Sequence, residues 1–194
     1  MKINLISDKA SNLFFGPILL TPEIFFDERG YFLETWNEKI FNDLIKLKVN
    51  FVQDNESFSR RGTLRGLHYQ LNPVPQGKLI RVIKGEIYDV LVDLRKESKT
   101  FAKWAGIKLD ADTKKQIWIP QGFAHGFLTL SDEAIVGYKV TNYWDKNLER
   151  TLYWKDNQIN IKWPSQKNNF NPKLSEKDQK GELLKELLDR GDVF

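Results

Sequence analysis

The dominant feature of this sequence is a succession of short apolar segments that are separated by turn residues. The segments are rich in Ile, Val, Leu and aromatic residues, and the 194 residues include 13 Phe, 6 Tyr and 6 Trp. β-Branched and aromatic side chains favour the pleated, half-buried surface of a sheet. Short strands at regular spacing, with turns between them, are typical of a jelly-roll sandwich or barrel. The sequence therefore predicts one mainly β domain over residues 1–194.

Two stretches have the pattern of antiparallel strands joined by turns. Residues 78–94 contain two apolar arms around Gly85, which predicts a β-hairpin. Residues 116–143 contain three apolar arms, separated by a Pro-Gln-Gly turn and a polar turn, and predict a second hairpin-like unit. Nearer the N-terminus, Gly16 and Pro17 interrupt an apolar segment and predict a further turn.

Two segments have helical rather than strand-like spacing. Asn37 precedes apolar residues at helical intervals, which predicts a short, N-capped helix near the first third of the chain. From about residue 175 a C-terminal helical tail is expected, because Ser175 and Asp178 have capping-box spacing. A polar loop is expected before it, over residues 166–169. Four leucines would form the apolar stripe of the tail: Leu183, Leu184, Leu187 and Leu188.

Charge and composition exclude several classes of function. The net charge is only +4 and the basic residues are dispersed, so the sequence has no nucleic-acid-binding track. No apolar run approaches the roughly 20 residues of a membrane span, and the N-terminus has no signal-peptide pattern. The absence of cysteine excludes disulfides, thiolate metal sites and thiol nucleophiles. We therefore expect a cytoplasmic protein with neither a nucleic acid nor a membrane as partner.

The two histidines, His68 and His125, are the strongest candidates for chemistry. Each lies among small and polar residues, in segments 65–70 and 119–127. Histidine is the side chain whose ordinary pKa permits proton exchange near neutral pH. A single histidine is more often a buried residue that a hydrogen bond satisfies, but the setting of both favours a role in proton transfer.

Carboxylates interrupt the second arm of the first predicted hairpin. Asp89 and Asp93 alternate with apolar residues and therefore lie on one face of the predicted strand. A buried carboxylate needs a compensating partner. For Asp93 the expected partner is Arg95 or Arg81 at the sheet edge. Asp89 is expected inside the protein, near a histidine or Lys78.

Two further questions concern Tyr138 and a bound metal. Tyr138 shares a face with two valines of its segment, so core packing and a catalytic role are both open for it. Metal-binding cupins, which share the small-barrel architecture, use a His-X-His pair, which this sequence lacks. Two histidines and a carboxylate would suffice for a facial triad, but Arg65 would put a fixed positive charge beside the metal. We therefore expect no metal site.

Several short motifs follow one another in order between about residue 14 and residue 180. They are DERGYFLE (27–34), QDN (53–55), GTLRGLHYQ (62–70), DVLVDLR (89–95), WIP (118–120), GFAHGF (122–127) and LSEKD (174–178). This ordered set closely resembles the dTDP-4-dehydrorhamnose 3,5-epimerase family. The set is much more specific than any one of its members.

The resemblance implies a fold, a reaction and a partner. Members of this family are metal-free, cupin-like jelly rolls that act as homodimers in the dTDP-L-rhamnose pathway, and no cofactor is expected. Their substrate is a nucleotide-linked sugar, dTDP-4-dehydro-6-deoxy-D-glucose. It is epimerised at C3 and C5 to dTDP-4-dehydro-L-rhamnose. By likeness, this chain is expected to be an isomerase of that kind.

The resemblance also implies roles for single residues. By likeness, His68 is the base and Asp89 is its orienting partner. Tyr138 is the acid on the opposite face of the sugar, and Lys78 stabilises the enolate oxygen. The other matched positions are expected to contact the substrate: Arg29, Glu34, Gln53, Asp54, Asn55, Arg65, His125, Glu149, Lys177 and Asp178. For Asp178, a place near the sugar and a simple role at the helix N-terminus are both open.

Two other functions compete with this interpretation. The first is a C3-only epimerase that acts on a related dTDP-4-keto-6-deoxysugar. The presence of Tyr138 beside the base-side residues favours the double epimerase. The second is a non-catalytic cupin that binds a nucleotide sugar or another saccharide. The intact set of His68, Lys78, Asp89 and Tyr138 argues against it.

Overall fold

The computed structural model describes residues 1–8, 12–164 and 171–194, so the loop predicted over 166–169 lies outside the described residues. Within these ranges the chain is mainly β, as the sequence predicts. The strands are β1 (Lys2–Ser7), β2 (Leu13–Thr21), β3 (Phe25–Asp27), β4 (Gly30–Phe32), β5 (Gln53–Arg60), β6 (Leu64–Gln70), β7 (Lys78–Lys84), β8 (Glu86–Asp93), β9 (Trp104–Asp110), β10 (Gln116–Ile119), β11 (Phe123–Thr129), β12 (Glu133–Val140) and β13 (Glu149–Thr151). The helices are α1 (Glu38–Ile45), α2 (Glu176–Gln179) and α3 (Leu184–Arg190).

Two antiparallel sheets face each other and form a jelly roll. One sheet has six strands in the order β1-β2-β10-β7-β12-β5, and the other has five in the order β13-β6-β11-β8-β9. Strands β3 and β4 form a separate two-stranded hairpin. Apolar side chains from the inner faces pack between the sheets, among them Ile80 and Val136 from one sheet and Ile87, Leu91 and Phe127 from the other. This double-sheet arrangement confirms the predicted fold class.

Several consecutive strands belong to different sheets, which corrects two predictions. β7 pairs with β10 and β12, whereas β8 pairs with β9 and β11, so the two arms around Gly85 do not form a hairpin. The arms predicted over 116–143 are separated in the same way, because β11 lies in the sheet opposite β10 and β12. These turns carry the chain from one sheet to the other. The local pattern identifies the strands and turns correctly but contains no information about which strands pair.

The turn predicted at Gly16 and Pro17 is also wrong, because β2 continues through both residues. Gly16 has a positive φ of 113°, and a Cβ there would lie 2.8 Å from the Pro120 side chain. The register of β1 against β2 shifts opposite this segment, between Leu5 and Ser7. The two residues therefore form an irregularity within a strand, one of the few places where a sheet accommodates proline.

Helix α1 covers part of the outer face of the six-stranded sheet. Asn37 caps it as predicted, since its side chain accepts a hydrogen bond from the Ile40 N–H at 3.1 Å. Phe41 of α1 is buried against Leu79 and Trp118 of the sheet. None of the helices in the described ranges is long and apolar enough to span a membrane.

The C-terminal region forms two short helices rather than the single helix that the sequence predicts. Between α2 and α3, Glu182 makes a parallel bridge to Leu152, and its backbone exchanges hydrogen bonds with the segment around β13. These bonds hold the chain extended at the point where one helix would have to continue. Leu184 and Leu187 are buried against the outer face of the five-stranded sheet, but Leu183 is 43% exposed.

Candidate active site

A cavity of about 510 Å³ opens between the two sheets. Its walls consist of β5, β7 and β12 from the six-stranded sheet, β6, β11 and β13 from the five-stranded sheet, and residues at the start of α2. This volume is within the range of sites that hold small molecules. Both histidines line the cavity, so the two side chains that the sequence marks for chemistry meet in one site.

Close contact between β6 and β11 places the two histidines side by side. His68 and His125 are register partners in this antiparallel pair, so their side chains project from the same face. Gly66 has a φ of 116°, and a Cβ on it would lie only 2.6 Å from the Gly126 Cα. Because no other side chain fits at Gly66, glycine is required two residues before the first histidine.

His68 is held by Asp178. The His68 Nε2 lies 2.6 Å from the Asp178 Oδ1, and the Asp178 side chain is only 4% exposed. The Gly66 N–H also points towards the same oxygen, at 3.4 Å. Because the carboxylate accepts from Nε2, the neutral imidazole keeps its lone pair at Nδ1. This pairing prepares His68 to act as a base through Nδ1.

The charge states of this pair suit a general base. Burial lowers the pKa of His68, and the positive charges of Lys177 and Lys78 act in the same direction, while Asp178 opposes them. The net result is a pKa below the ordinary histidine value, which keeps the imidazole unprotonated at neutral pH. Burial raises the pKa of Asp178, but hydrogen bonds from His68 and Ser175 outweigh it and hold the carboxyl ionised.

Asp89 is not the partner of His68, which corrects the role that the sequence assigned to it. The Asp89 Oδ2 lies 2.8 Å from the His125 Nε2, and its side chain is fully buried. The reason is strand order: β11, which carries His125, lies between β6 and β8. Asp89 on β8 therefore reaches the nearer histidine. Its predicted interior position is confirmed, and Asp93 pairs with Arg95, one of the two partners that the sequence allows.

Lys78 reaches the cavity from β7 in the sheet opposite His68. Its Nζ donates to the His68 backbone carbonyl at 3.1 Å, and only 8% of the residue is exposed. Burial lowers the pKa of Lys78 to about 8, with Glu149 opposing the shift and Lys177 adding to it. A buried ammonium in this position is suited to stabilise negative charge that develops on a substrate oxygen.

Tyr138 lines the same cavity from β12, which also lies in the sheet opposite His68. Burial raises the pKa of Tyr138, and the nearby Arg65 lowers it to a smaller extent. The phenol therefore stays protonated at neutral pH. The ring also packs against the core between the sheets, so packing and a position in the cavity are compatible. A proton donor across a cavity from a base is the arrangement that inversion at a carbon requires.

The rest of the cavity presents fixed charges and an exposed aromatic ring. The Arg65 Nε donates to the Ser59 hydroxyl at 2.9 Å, which ties the guanidinium to β5. Lys177 and Glu149 form an ion pair at 2.8 Å. Trp144 lines the cavity while remaining 54% exposed. These groups suit a ligand that combines anionic oxygens with a flat aromatic part.

Most of the site residues predicted from the sequence line this cavity. They are Gln53, Asn55, Arg65, His68, Lys78, His125, Tyr138, Glu149, Lys177 and Asp178. Asp54 does not, because it alternates with Gln53 and Asn55 along β5 and projects from the other face of the strand. There it pairs with Lys139 at 2.6 Å.

Two more predicted substrate contacts lie outside the cavity of their own chain. Arg29 lies at the turn between β3 and β4, is largely exposed and pairs with Asp27. Glu34 accepts a hydrogen bond from the Asn37 side chain at 3.2 Å, before α1. Neither residue lines the cavity that holds the histidines.

Sequence reasoning misses several lining residues: Ser57, Gln76 and Trp144, and Ser175 in any role beyond a helix cap. Continuing the alternation of Gln53 and Asn55 by one step along β5 would have found Ser57. Its buried hydroxyl has no hydrogen-bond partner among the described residues. Trp144 lies in an irregular segment after β12, where no periodic pattern marks its direction.

The described residues contain no group of three His, Cys, Asp or Glu side chains that is placed to hold a metal ion. Each histidine instead forms a pair with one aspartate. Three cations, Arg65, Lys78 and Lys177, line the same cavity. This donor set does not fit a divalent metal, and metal independence stays a prediction.

The fold and the cavity together define a class: a double-sheet barrel whose interior holds an unprotonated histidine and a protonated tyrosine on facing walls. A family model described as dTDP-4-dehydrorhamnose 3,5-epimerase matches residues 14–186. The chain is 53% identical over 165 residues to a dTDP-4-dehydrorhamnose 3,5-epimerase of Shigella flexneri, an alignment that covers 85% of this chain and 89% of the relative. The chain therefore belongs to the dTDP-4-dehydrorhamnose 3,5-epimerase family.

A solved structure agrees with this assignment. A dTDP-6-deoxy-D-glucose-3,5-epimerase from Legionella pneumophila, in complex with dTDP-4-keto-L-rhamnose, superposes with a TM-score of 0.87. It is 40% identical, and the match covers 99% of this chain and 97% of that one. A dTDP-4-dehydrorhamnose 3-epimerase of Streptomyces niveus is more distant, at 35% identity over 172 residues, which is 89% of this chain and 81% of the relative.

Proposed function

We propose that this protein epimerises dTDP-4-dehydro-6-deoxy-D-glucose at C3 and C5 and releases dTDP-4-dehydro-L-rhamnose. The observation that carries the proposal is one cavity with the His68–Asp178 pair on one wall and Tyr138 on the other. Identity of 53% to the 3,5-epimerase of Shigella flexneri, against 35% to the 3-epimerase of Streptomyces niveus, favours the double reaction over the C3-only alternative. The intact acid–base set argues against a protein that only binds saccharides.

The chemistry follows from the ketone at C4 of the sugar. This carbonyl acidifies the protons on C3 and C5, because their removal gives an enolate. The His68 Nδ1 takes the proton, and Asp178 stabilises the imidazolium that forms. The Lys78 ammonium stabilises the charge on the enolate oxygen. At C5, Tyr138 then delivers a proton from the opposite face, whereas at C3 water delivers it. Solvent returns His68 and Tyr138 to their starting states.

The remaining lining residues hold the nucleotide and the sugar. Arg65 offers a guanidinium to the diphosphate, a pairing that its fork geometry favours. His125, oriented by Asp89, contributes a further polar contact near the sugar. The exposed ring of Trp144 is available to stack on the thymine base. Asn55 supplies an amide contact from β5.

Product stereochemistry tests the proposal. The protein is incubated with dTDP-4-dehydro-6-deoxy-D-glucose in water, and the sugar ring is followed by proton NMR. We expect inversion at both C3 and C5. Inversion at C3 alone would identify the protein as a C3 epimerase, and an unchanged sugar that still binds would identify it as a non-catalytic binder.

The Tyr138→Phe variant separates the two half-reactions. The variant keeps the ring and its packing but removes the transferable proton. The enolate still forms, because His68 remains, but reprotonation then occurs from the side of departure or from water. We expect inversion at C5 to fall steeply while exchange at C3 persists, measured by NMR of the product. Unchanged inversion at C5, with a loss of stability of only about 1 kcal/mol, would mean that Tyr138 serves packing alone.

The pH profile depends on two groups with opposite requirements. Turnover needs His68 unprotonated and Lys78 protonated. Because the pKa of His68 lies below its ordinary value, kcat/KM should reach its plateau before neutral pH. It should fall as pH rises through about 8, where Lys78 loses its charge. In the Lys78→Arg variant the alkaline limb should move to higher pH, because guanidinium does not titrate there. An alkaline limb that stays in place would belong to another group.

We also propose that the reaction needs no cofactor and takes place in the cytoplasm. Neither a metal nor an organic cofactor is needed, since the C4 ketone itself acidifies the reacting protons and Lys78 supplies the stabilising charge. We place the protein in the cytoplasm, because nucleotide sugars are made from cytoplasmic nucleotides and the chain has no cysteine to oxidise.

We propose further that the protein acts as a homodimer in which the β3–β4 hairpin covers the partner's cavity. Four aromatic side chains of this hairpin are more than half exposed: Phe25, Phe26, Tyr31 and Phe32. Exposed apolar patches of this kind mark protein interfaces. Arg29 and Glu34, which match substrate-binding positions of the family, lie on or just after this hairpin and outside their own cavity.

Mixing two inactive variants tests this arrangement. A mixed dimer contains one His68→Asn chain and one Arg29→Ala chain. If Arg29 serves the cavity of the partner, one of the two sites combines an intact His68 with an intact Arg29 from the other chain. We expect the mixture, after subunit exchange, to regain part of the wild-type activity. If Arg29 served its own chain, every site would lack one group and the mixture would stay inactive.

A further inference from the structure

The Ser175 hydroxyl uses its hydrogen-bonding capacity twice on a single residue, Asp178. It accepts from the Asp178 N–H at 3.2 Å, which is an ordinary helix N-cap. It also donates to the Asp178 Oδ2 at 2.8 Å. In a capping box, the side chain at the position of Asp178 would instead bond back to the backbone N–H of the cap. The Asp178 carboxylate is therefore directed away from capping and towards His68.

The two oxygens of this carboxylate have separate partners. Oδ1 accepts from the His68 Nε2 at 2.6 Å and faces the Gly66 N–H at 3.4 Å. Oδ2 accepts from Ser175. Since Asp178 is only 3% exposed, bulk water does not readily replace any of these donors. The carboxylate cannot turn about its side-chain bond without breaking at least one hydrogen bond.

We propose that Ser175 is a positioning residue for the epimerisation, whose hydroxyl fixes the Asp178 carboxylate and, through it, the ring of His68. This inference rests on the proposed function of His68 as the base. Ser175 acts through Asp178 and need not touch the reacting atoms. Ser175 thus extends the His68–Asp178 pair to three hydrogen-bonded residues. It lies at the N-cap of α2, a helix of only four residues.

The electrostatic surroundings of His68 explain why the orientation of Asp178 matters. When His68 takes a proton it becomes a cation, and both Lys177 and Lys78 disfavour that charge. Glu149 is engaged with Lys177 at 2.8 Å. Asp178 is thus the carboxylate in direct contact with the imidazolium. The Ser175 hydroxyl, as a donor to Oδ2, keeps the Asp178 carboxylate ionised and aligned while the positive charge forms on His68.

The Ser175→Ala variant removes the donor, and Ser175→Thr preserves it together with the cap. Ser175→Gly removes the donor with little loss of capping, since glycine is an acceptable N-cap, and it serves if the alanine variant is unstable. Protein labelled with ¹⁵N in its imidazole rings gives signals from only two histidines. A His125→Gln background assigns them.

Two readouts are measured on each variant. The first is the pH titration of His68, which needs no substrate. Without the Ser175 donor, the Asp178 carboxylate becomes more basic and holds the imidazolium more tightly, so the His68 titration should move to higher pH. The second is turnover of dTDP-4-dehydro-6-deoxy-D-glucose. On the pH plateau, kcat should fall about 10- to 100-fold, as expected for a misplaced base, with little change in KM.

The expected pattern is a shifted His68 titration and a reduced kcat in the alanine and glycine variants, both restored by threonine. An unchanged His68 titration in both donor-less variants would overturn the proposal. So would a higher KM with an unchanged titration, which would make Ser175 a substrate contact. A wild-type protein that does not turn over the sugar would contradict the proposed function, while the titration would still decide the role of Ser175.

Discussion

Replacement of His68 by Asn should reduce proton exchange at both C3 and C5 by about 10²- to 10⁴-fold, the usual effect of removing a general base. One base serves both carbons in this mechanism, so the two rates should fall together. Asn is close in shape and cannot accept a proton near neutral pH. The measurement is deuterium incorporation into dTDP-4-dehydro-6-deoxy-D-glucose, followed at each carbon by NMR.

The fold and the binding of the nucleotide provide the control for this variant. Since His68 is partly exposed to the cavity and its neighbours on β6 are buried apolar residues, thermal unfolding and dTDP affinity should stay close to the wild-type values. Near-normal exchange in the variant would remove His68 from the role of base. Attention would then shift to the His125–Asp89 pair, which has the same geometry on the neighbouring strand.

Asp178→Asn should have the second-largest effect. The amide keeps the size of the side chain but loses the charge that stabilises the imidazolium, and it can favour the wrong tautomer of His68. The corresponding change in a serine-protease triad lowers kcat roughly 10⁴-fold. We expect kcat to fall towards that range, with a smaller change in KM.

Asp89→Asn is the matched comparison, because Asp89 makes the equivalent contact with the other histidine. His125 is assigned to substrate binding, so this variant should change KM more than kcat. The two variants are compared by steady-state kinetics at one pH on the plateau. A large loss of kcat in Asp89→Asn, with a nearly normal kcat in Asp178→Asn, would reverse the roles of the two aspartates.

The assignment of the aspartates also illustrates what the sequence can and cannot predict. The alternation along β8 correctly places Asp89 inside the protein. It cannot reveal that β11 lies between β8 and β6, since strand order is a property of the whole sheet. Asp178 is separated from His68 by 110 positions, so only the folded chain brings the two together.

The same distinction applies to the fold. Residues 78–94 are two strands with a turn at Gly85, as the sequence predicts, but their pairing partners lie elsewhere. Local periodicity fixes which side chains share a face and says nothing about the sheet in which a strand lies. Gly16 and Pro17 show a second limit, because glycine and proline indicate a turn and an irregularity within a strand equally well.

The substrate contacts that the family motifs predict show the same limit. Gln53 and Asn55 line the cavity, while Asp54 between them faces outwards, which the period of a strand already implies. Arg29 and Glu34 match the family equally well but lie outside the cavity of their own chain. A sequence motif does not state which copy of a chain a residue serves.

Solvent exchange in the wild-type protein tests the proposed mechanism most directly. The protein is incubated with dTDP-4-dehydro-6-deoxy-D-glucose in D₂O, and C3 and C5 are observed by NMR as the product forms. Removal of both protons by His68 and their return from solvent-exchanged groups predict deuterium at C3 and at C5, with both centres inverted. Formation of the inverted product without deuterium at either carbon would contradict the mechanism.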